Sequence, residues 1–391
     1  MPRRIPLLAL AVSLAAAATS LAVPASAAAD VPGAYRTVPL RVLTPAAAPD
    51  VELIPGRYIV TTRSSFKSTL SVRESFTGAL NGFVADLTPA QVKSLTRSAD
   101  VLSVEQDAWH HNVLDTTQTN PPSWGIDRID QVNRPLSNSY TYTATGAGVH
   151  AYIIDTGVDP THANFGGRAS FDFNSIDSNN TDCNSHGTHV AGTIGSASYG
   201  VAKGVRLHGV KWLNCSGSGT TSAAISAVNW VTSNKIAPAV ANTSWNATYS
   251  STLATALTNM MNSGVFLATS GGNTGGNSCD RLPRNLTAAL VVAATTNTDA
   301  RASYSSIGTC IDIYGPGSSI ISTIPGGGSG SKSGTSMSTP HAAGIAALYK
   351  QTNVNASQAT IHAWIINNAS NGVVTGSLSG TPNRLLNKRS L

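Results

Sequence analysis

Apolar runs alternate with helical patterns after residue 124, and this alternation restricts the fold more than any other feature. Between the runs, apolar residues recur at helical spacing, for example at Leu253 and Leu257 and again at Ile345 and Leu348. Strands that alternate with helices form a mostly parallel sheet that is covered by helices on both faces. The sequence therefore predicts one large α/β domain. Its predicted strands are 149–154, 207–213, 239–245, 265–269, 290–294 and 311–314.

Three short motifs place a carboxylate, an imidazole and a hydroxyl beside predicted element ends. Asp155 ends an apolar strand, and His186 and Ser336 each stand where a glycine-bearing turn opens a helix. A serine hydroxyl becomes a nucleophile when an imidazole takes its proton, and the imidazole needs an anion to fix its tautomer. Each residue alone is more often a cap, a packed histidine or a loop serine. Together they predict nucleophilic acyl transfer.

The contexts of these residues resemble those of the subtilisin-like serine endopeptidases. The order Asp, His, Ser along the chain is the subtilisin order. The runs 124–130, 215–219 and 382–386 are similar to the proteinase K branch, and most similar to aqualysin-like enzymes. The resemblance extends over residues 124–386. It implies a subtilisin-like fold and a peptidase whose catalytic residues are Asp155, His186 and Ser336.

Acyl transfer also needs a donor for the negative charge that develops on the carbonyl oxygen. By the same resemblance, this donor is the side-chain amide of Asn273, together with the backbone N–H of Ser336. His189 forms a His-x-x-His pair with His186 that could suggest zinc. The intervening residues are glycine and threonine, so the catalytic Glu and the four-residue spacing of a zinc peptidase are missing. We therefore predict a structural role for His189.

The resemblance further implies that an extended peptide binds as an added strand between two segments, residues 216–219 and residues 244–247. The second segment differs from the relatives, since Trp245, Asn246 and Ala247 replace Leu-Gly-Gly. On the opposite wall of the primary pocket, Ser270, Gly271 and Gly272 replace the Ala-Ala-Gly of the relatives. The added bulk predicts a narrowed or more polar primary pocket, the pocket that takes the side chain before the cut bond. The implied substrate-binding residues are Gly217, Ser218, Gly219, Ser244, Trp245, Asn246, Ser270, Gly271 and Gly272.

The N-terminal region predicts two further units. Residues 1–27 combine a basic start, an apolar stretch and a small-residue site ending at Ala27, which is typical of a secretion signal. Residues 28–115 carry strand patterns at 54–62, 79–86 and 101–106, and Thr88 to Gln91 reads as a capping box. We therefore expect a secreted, extracellular product that begins with a small α+β domain.

This α+β unit resembles the inhibitory pro-segment of the same family. The resemblance implies that residues 28–115 assist folding of the slow-forming parallel sheet and then block the active site until cleavage. Cleavage is expected between His111 and Thr117, which leaves a peptidase domain at 116–391. An ordinary N-terminal binding domain is the alternative.

Composition limits the partners. Charged residues make up 11% of the chain, and the net charge of +6 includes the signal and pro-segment. Lys and Arg are scattered without a basic stripe, so we do not expect nucleic acid as a partner. No stretch after the signal is long and apolar enough to span a bilayer, so we expect no membrane partner either. The expected partners of a monomer are protein or peptide substrates and its own pro-segment.

The four cysteines predict two disulfides in a secreted chain. Sequence alone leaves three pairings open, with free thiols as a further alternative. The resemblance to aqualysin-like enzymes selects Cys183 with Cys215 and Cys279 with Cys310.

Hard oxygen donors bracket one turn, as a calcium site requires. They match the aqualysin-like calcium site residue by residue, and a plain polar turn is the alternative. A second family site would use the Asp312 carboxylate with the carbonyl oxygens of Thr287 and Ala289. We expect structural calcium and no cofactor for catalysis. The donors of the first site are Asp127, Asp130, Gln131, Ser137 and Ser139.

Two other function classes are alternatives to proteolysis. An esterase of the α/β-hydrolase type is disfavoured, because the run 334–338 lacks the second glycine of the nucleophile elbow and the three residues occur in a different order along the chain. A secreted binding protein on a catalytically weak protease scaffold stays open, because the segment 245–247 is altered.

Overall fold

The computed structural model describes residues 41–43, 51–63, 66–110 and 116–391. The predicted signal at 1–27 lies outside the described residues, and so does segment 111–115 of the predicted cleavage region. Within the described ranges, no helix has both the length and the apolar character needed to cross a membrane.

The N-terminal unit is a small α+β fold. Its five strands pair in the order β1-β5-β2-β4-β3, and the apolar side chains of Val60, Phe83 and Val104 are buried between the sheet and the helix. Thr88 caps that helix in a capping box with Gln91, as the sequence predicts. The three-residue edge strands were not predicted, because so few residues carry no periodicity. The elements are β1 Arg41–Leu43, β2 Val51–Thr62, β3 Glu74–Phe76, β4 Gly82–Asp86, α1 Pro89–Leu95 and β5 Val101–His110.

A nine-stranded sheet forms the centre of the described residues 116–391, and the predicted α/β class is confirmed. Seven neighbouring strands pair in parallel in the order β14-β13-β12-β11-β8-β10-β9, and two short strands extend the β14 edge. Each predicted strand is present, whereas β9 and the two short strands β17 and β18 were not predicted. The strands are β8 His150–Asp155, β9 Ala169–Asn174, β10 Arg206–Lys211, β11 Ala239–Thr243, β12 Val265–Ser270, β13 Leu290–Thr295, β14 Ile313–Pro316, β17 Ser370–Asn371 and β18 Arg384–Leu385.

Helices cover both faces of this sheet and divide its core into two layers. Phe266 and Ala268 of β12 pack with α3 and α6, while Val265 and Leu267 pack with α4 and α5 on the other face. Successive side chains of a strand point to opposite faces, so a strand buried on both sides is apolar throughout. The helices are α2 Trp124–Ile129, α3 His186–Gly195, α4 Thr221–Asn234, α5 Ser251–Asn262, α6 Thr335–Thr352 and α7 Gln358–Asn367.

The remaining elements are two hairpins and one short 3₁₀ turn. The first hairpin pairs β6 with β7, and the second pairs β15 with β16. Their bounds are β6 Thr116–Thr119, β7 Ser139–Tyr142, β15 Ile320–Ile324 and β16 Gly328–Lys332, and the 3₁₀ turn is Ala163–Phe165.

Helix α6 runs through the core and has small residues where it meets its neighbours. A Cβ on Gly344 would lie 2.6 Å from Cβ of Val201, closer than real Cβ contacts. The glycine therefore sets how closely the 201 loop approaches the helix, and this helix also carries Ser336.

Substituting Gly344→Ala tests this packing. Alanine favours the helix by about 1 kcal/mol, but the clash with Val201 should cost about 1–3 kcal/mol. We expect the free energy of unfolding in urea to fall by about 1 kcal/mol on balance. In the pair Gly344→Ala with Val201→Ala, the costs should be less than additive. A variant Gly344→Ala that is more stable than the parent would contradict the close contact.

Candidate active site

Asp155 and His186 form the acid–imidazole pair that the sequence predicts. Asp155 is fully buried at the carboxyl end of β8, and its Oδ1 accepts a hydrogen bond from Nδ1 of His186 at 2.7 Å. The same oxygen accepts the N–H of Thr156 at 2.8 Å. Because Nδ1–H is committed to the carboxylate, Nε2 is the ring nitrogen that can accept a proton.

The negative charge of Asp155 raises the pKa of the His186 imidazole. Burial by itself lowers the pKa of His186, but attraction and hydrogen bonding by Asp155 outweigh it and raise the pKa above its usual value. A raised pKa makes the neutral ring a stronger base. By contrast, burial lowers the pKa of His189 to about 4, and its Nε2 contacts the carbonyl oxygens of Ile320 and Gly330. His189 is thus placed as a neutral, packed residue.

A buried carboxylate that the sequence reading missed holds the helix of His186. Asp182 Oδ1 accepts the N–H of Ser185 at 2.9 Å, and Oδ2 accepts the N–H of Thr188 at 2.8 Å. Its Oδ1 also accepts the hydroxyl of Thr156, the residue after Asp155. Asp182 therefore ties the start of α3 to the end of β8. An aspartate just before a helix start was the available signal.

Ser336 lies in the first turn of α6, and Ser244 holds it from two sides. Its Oγ donates to the carbonyl oxygen of Ser244 at 3.0 Å, and Oγ of Ser244 donates to the carbonyl oxygen of Ser336 at 2.9 Å. Pro340, four residues on, has no N–H to donate to Ser336, so the Ser244 hydroxyl takes that position. A hydroxyl has one hydrogen, so Ser336 must turn away from Ser244 before His186 can take its proton.

Thr335 orients the amide of Asn273. Oδ1 of Asn273 accepts both the N–H and the hydroxyl of Thr335 at 2.9 Å each, and the Thr335 hydroxyl accepts the N–H of Gly272 at 3.0 Å. Because Oδ1 is held this way, Nδ2 points to the other side. A Cβ on Gly334 would lie 3.3 Å from Nδ2 of Asn273 and 3.7 Å from the N of Ser336. The two predicted oxyanion donors thus flank the same small region.

The four predicted catalytic residues share one edge of the sheet. Asp155 ends β8, Ser244 follows β11 and Asn273 follows β12, and these three strands are parallel neighbours. Parallel strands present their carboxyl ends at the same edge. Ser336 joins this edge through its bonds to Ser244. The arrangement can accept a proton, supply a hydroxyl nucleophile and donate hydrogen bonds to an anion.

The first predicted substrate segment lies open to solvent. Gly217, Ser218 and Gly219 are exposed. The turn is closed by a hydrogen bond from the N–H of Gly217 to the carbonyl oxygen of Asn214. A disulfide joins Cys183 to Cys215, with 4.9 Å between their Cα atoms, and so connects this loop to the segment before His186. The second disulfide joins Cys279 to Cys310.

The second predicted segment turns its largest side chain into the core. Trp245 is 6% exposed, and its Nε1 donates to the carbonyl oxygen of Ile154 at 2.7 Å. Only its backbone can therefore face a peptide. Asn246 is exposed, whereas Ala247 forms two backbone hydrogen bonds with Leu282. Ser244, Ser270, Gly271 and Gly272 are buried beside this segment.

Most donors of the first predicted calcium site lie together. Oδ1 of Asp127 accepts the Ser137 hydroxyl at 3.0 Å, and the hydroxyls of Ser137 and Ser139 are 2.8 Å apart. Oε1 of Gln131 accepts the N–H of Ser137. Asp130 instead lies 3.1 Å from Nζ of Lys388, which neutralises its charge. The clustered oxygens fit a calcium ion, with Asp127 as the carboxylate that lacks a cationic partner among the described residues.

The second predicted calcium site does not fit. Oδ2 of Asp312 accepts the N–H of Val291 at 2.8 Å, and its Oδ1 lies 3.6 Å from Nε2 of His362. Asp312 thus already has an imidazole beside it, whereas Asp127 accepts its hydrogen bonds from the uncharged donors of Ser137 and Asn138. Across the described residues, no group of three or more His, Cys, Asp or Glu side chains is arranged to hold a metal.

Comparison with known proteins identifies the family. Residues 146–384 match the Subtilase family, and residues 57–112 match the Peptidase inhibitor I9 family. The chain therefore belongs to the subtilase family of serine proteases, and the predicted family is confirmed. Its N-terminal unit is of the I9 inhibitor type.

Named relatives and a solved structure support this assignment. Alkaline serine exoprotease A of Vibrio alginolyticus is 45% identical over 334 residues, which are 83% of this chain and 61% of that protein. Extracellular serine proteinase of Thermus sp. (strain Rt41A) is 42% identical over 319 residues, which are 81% of this chain and 77% of that protein. The crystal structure of a cold adapted subtilisin-like serine proteinase is 44% identical with a TM-score of 0.66, and the match covers 68% of this chain and 97% of that one.

The role of Thr335 can be tested with the isosteric substitution Thr335→Val. This change removes the hydroxyl that holds Asn273 Oδ1 and leaves the N–H of Gly272 unpaired. We expect kcat on a peptide substrate to fall about tenfold, with KM little changed, because the oxyanion donor matters most in the transition state. Thr339→Val, on the same helix, is the matched control. Equal losses in both variants would contradict a specific role for Thr335.

Proposed function

We propose that this chain is a secreted serine endopeptidase that is made as a self-processing zymogen. The observation that carries the proposal is the 2.7 Å bond between Asp155 and His186 at the sheet edge that also holds Ser336 and Asn273. Family membership supports it.

In the proposed reaction, Oγ of Ser336 attacks the carbonyl carbon of the peptide while Nε2 of His186 takes its proton. The carbonyl oxygen becomes negative and accepts hydrogen bonds from the Ser336 N–H and from Nδ2 of Asn273. The carbon–nitrogen bond then breaks, and His186 gives its proton to the leaving amine. This leaves an ester on Ser336. Water, deprotonated by His186, hydrolyses the ester and restores the hydroxyl, and Asp155 stays ionised throughout.

We further propose the processing scheme that the sequence suggests. Residues 1–27 direct secretion, residues 28–115 act as folding aid and inhibitor, and residues 116–391 form the mature, monomeric peptidase. The match of 57–112 to the I9 family supports the inhibitory role. The substrates are proteins or peptides, and catalysis uses no cofactor.

Substitution of the nucleophile tests the function. The full chain and its Ser336→Ala variant are expressed, treated with a fluorescent fluorophosphonate and sequenced at the N-terminus. We expect the parent to be labelled and cut between residues 111 and 117, and the variant to remain unlabelled and uncut. An unlabelled parent that binds peptides would instead favour the weak-scaffold alternative.

We also propose that Asp127, Gln131, Ser137 and Ser139 hold a structural calcium ion. An ion that binds only the folded state stabilises it, by about 2.7 kcal/mol at a hundredfold excess over the dissociation constant. For a domain of this size, chelation with EDTA should then lower Tm by about 5–10 °C.

Ser139→Ala is the matched variant for the calcium test. It removes one oxygen donor and leaves the hydrogen bonds of Asp127 in place, so the Tm shift on chelation should shrink. A parent protein with the same Tm in calcium and in EDTA would rule the site out.

A further inference from the structure

A buried arginine lies behind the proposed primary pocket. Arg284 is 2% exposed, and its Nη1 donates to the carbonyl oxygen of Gly271 at 2.9 Å and to Oγ of Ser278 at 2.6 Å. Its Nε and Nη2 are also buried, and neither has a hydrogen-bond partner among the described residues. Burying a charged group in this way costs free energy unless an opposite charge and hydrogen bonds compensate for the lost hydration.

The described residues supply no counter-charge within ion-pair distance of this guanidinium. The nearby Asp280 is 75% exposed and lies 3.5 Å from Arg281 instead. Burial lowers the pKa of Arg284 to about 10, while Asp280 opposes the decrease. The group is therefore still cationic at neutral pH. The carbonyl oxygen of Gly271 and the hydroxyl of Ser278 need only a neutral hydrogen-bond donor. These two contacts therefore do not explain why a charged side chain is buried here.

The guanidinium lies directly against the glycine wall of the proposed pocket. A Cβ on Gly272 would collide with Nη1 of Arg284 and would lie 2.7 Å from Oγ of Ser278. Gly272 also has φ of +101°, which side chains rarely adopt. Gly271 and Gly272 carry no side chains, so a peptide bound along this wall, as the resemblance implies, would meet backbone in front of the guanidinium.

We propose that Arg284 makes the primary pocket prefer an acidic side chain, Asp or Glu, before the cut bond. This inference rests on the proposed peptidase function and names its substrate class. A carboxylate on the pocket side of the glycine wall would supply the missing counter-charge. A lysine or arginine side chain there would be repelled.

The preference should be large and resistant to salt. Opposite charges a few ångströms apart near a protein surface attract strongly enough to change kcat/KM roughly ten- to a hundredfold. Salt screens exposed charges well and buried ones poorly. An effect of exposed Arg281, by contrast, would fade at high salt.

Matched substrates test the proposal. Peptide p-nitroanilides that differ only in Glu, its neutral isostere Gln, or Lys before the cut bond are compared at low and high salt. For the mature parent we expect kcat/KM for Glu to exceed that for Gln at least tenfold, and Lys to be poorest. Arg284→Gln should abolish the Glu preference, and Arg284→Lys should keep most of it. The control Arg281→Gln should change the Glu-to-Gln ratio less than threefold.

The possible results separate the two proposals. If the parent cuts the Gln substrate without preferring Glu, the peptidase function is supported and the proposed role of Arg284 is wrong. The same holds if Arg284→Gln keeps the preference or if Arg281→Gln abolishes it. If no substrate is cut and Ser336 takes up no fluorophosphonate, both proposals fall. Should Arg284→Gln not fold, the ratios of the parent and of Arg281→Gln decide.

Discussion

Parallel pairing of β8, β11 and β12 is the constraint on which the rest of the site depends. The three strands are neighbours in one sheet, so the residues that follow them meet at a single edge although they are far apart in the chain. Asp155, Ser244 and Asn273 are delivered in this way. Helices α3 and α6, which pack on one face of the sheet, begin with His186 and with Thr335 followed by Ser336. The site is thus built at the ends of strands and at the starts of helices, with Ser244 and Asn273 in the segments that directly follow the strands.

A second group of polar residues holds the reactive ones in place. Asp182 fastens the start of α3 to the end of β8, Thr335 fixes the Asn273 amide, and Ser244 replaces the N–H that Pro340 lacks. Most of these buried polar atoms have a defined partner, which limits the orientations that the reactive groups can adopt, although Oδ2 of Asp155 has none among the described residues. Arg284 differs, because it is a buried cation whose Nε and Nη2 have no hydrogen-bond partner among the described residues. That difference is why it, rather than another buried cation, points to a ligand.

The sequence predicted the features that are encoded by neighbouring residues, and it missed those that depend on contacts between distant segments. The six strand patterns after residue 124 were predicted because apolar runs report burial on both faces of a sheet. Strand β9 was missed, since its residues are half-buried and mixed in character. The sequence also named the motif residues of the catalytic group, and the structure brings Asp155 and His186 into direct contact. It did not indicate that Trp245 would turn into the core, because a tryptophan beside a predicted cleft reads equally well as lining it.

The sequence by itself determined the α/β class, the N-terminal α+β unit and the identity of the candidate acid, base, nucleophile and oxyanion donor. The fold class follows from periodicity and the acid, base and nucleophile from short motifs, which are properties of neighbouring residues, while the oxyanion donor follows from the family resemblance that these motifs carry. Only the tertiary structure decided which oxygen each polar side chain binds, that Lys388 neutralises Asp130, and that Arg284 lies beside Gly271 and Gly272 without a counter-charge in the described part of the chain. Such pairings join segments that are mostly distant in the chain, and no local pattern encodes the partner. Burial makes these pairings energetically important. A charge or a hydrogen-bond donor that is removed from water costs free energy unless a neighbouring group in the fold compensates for the lost solvation.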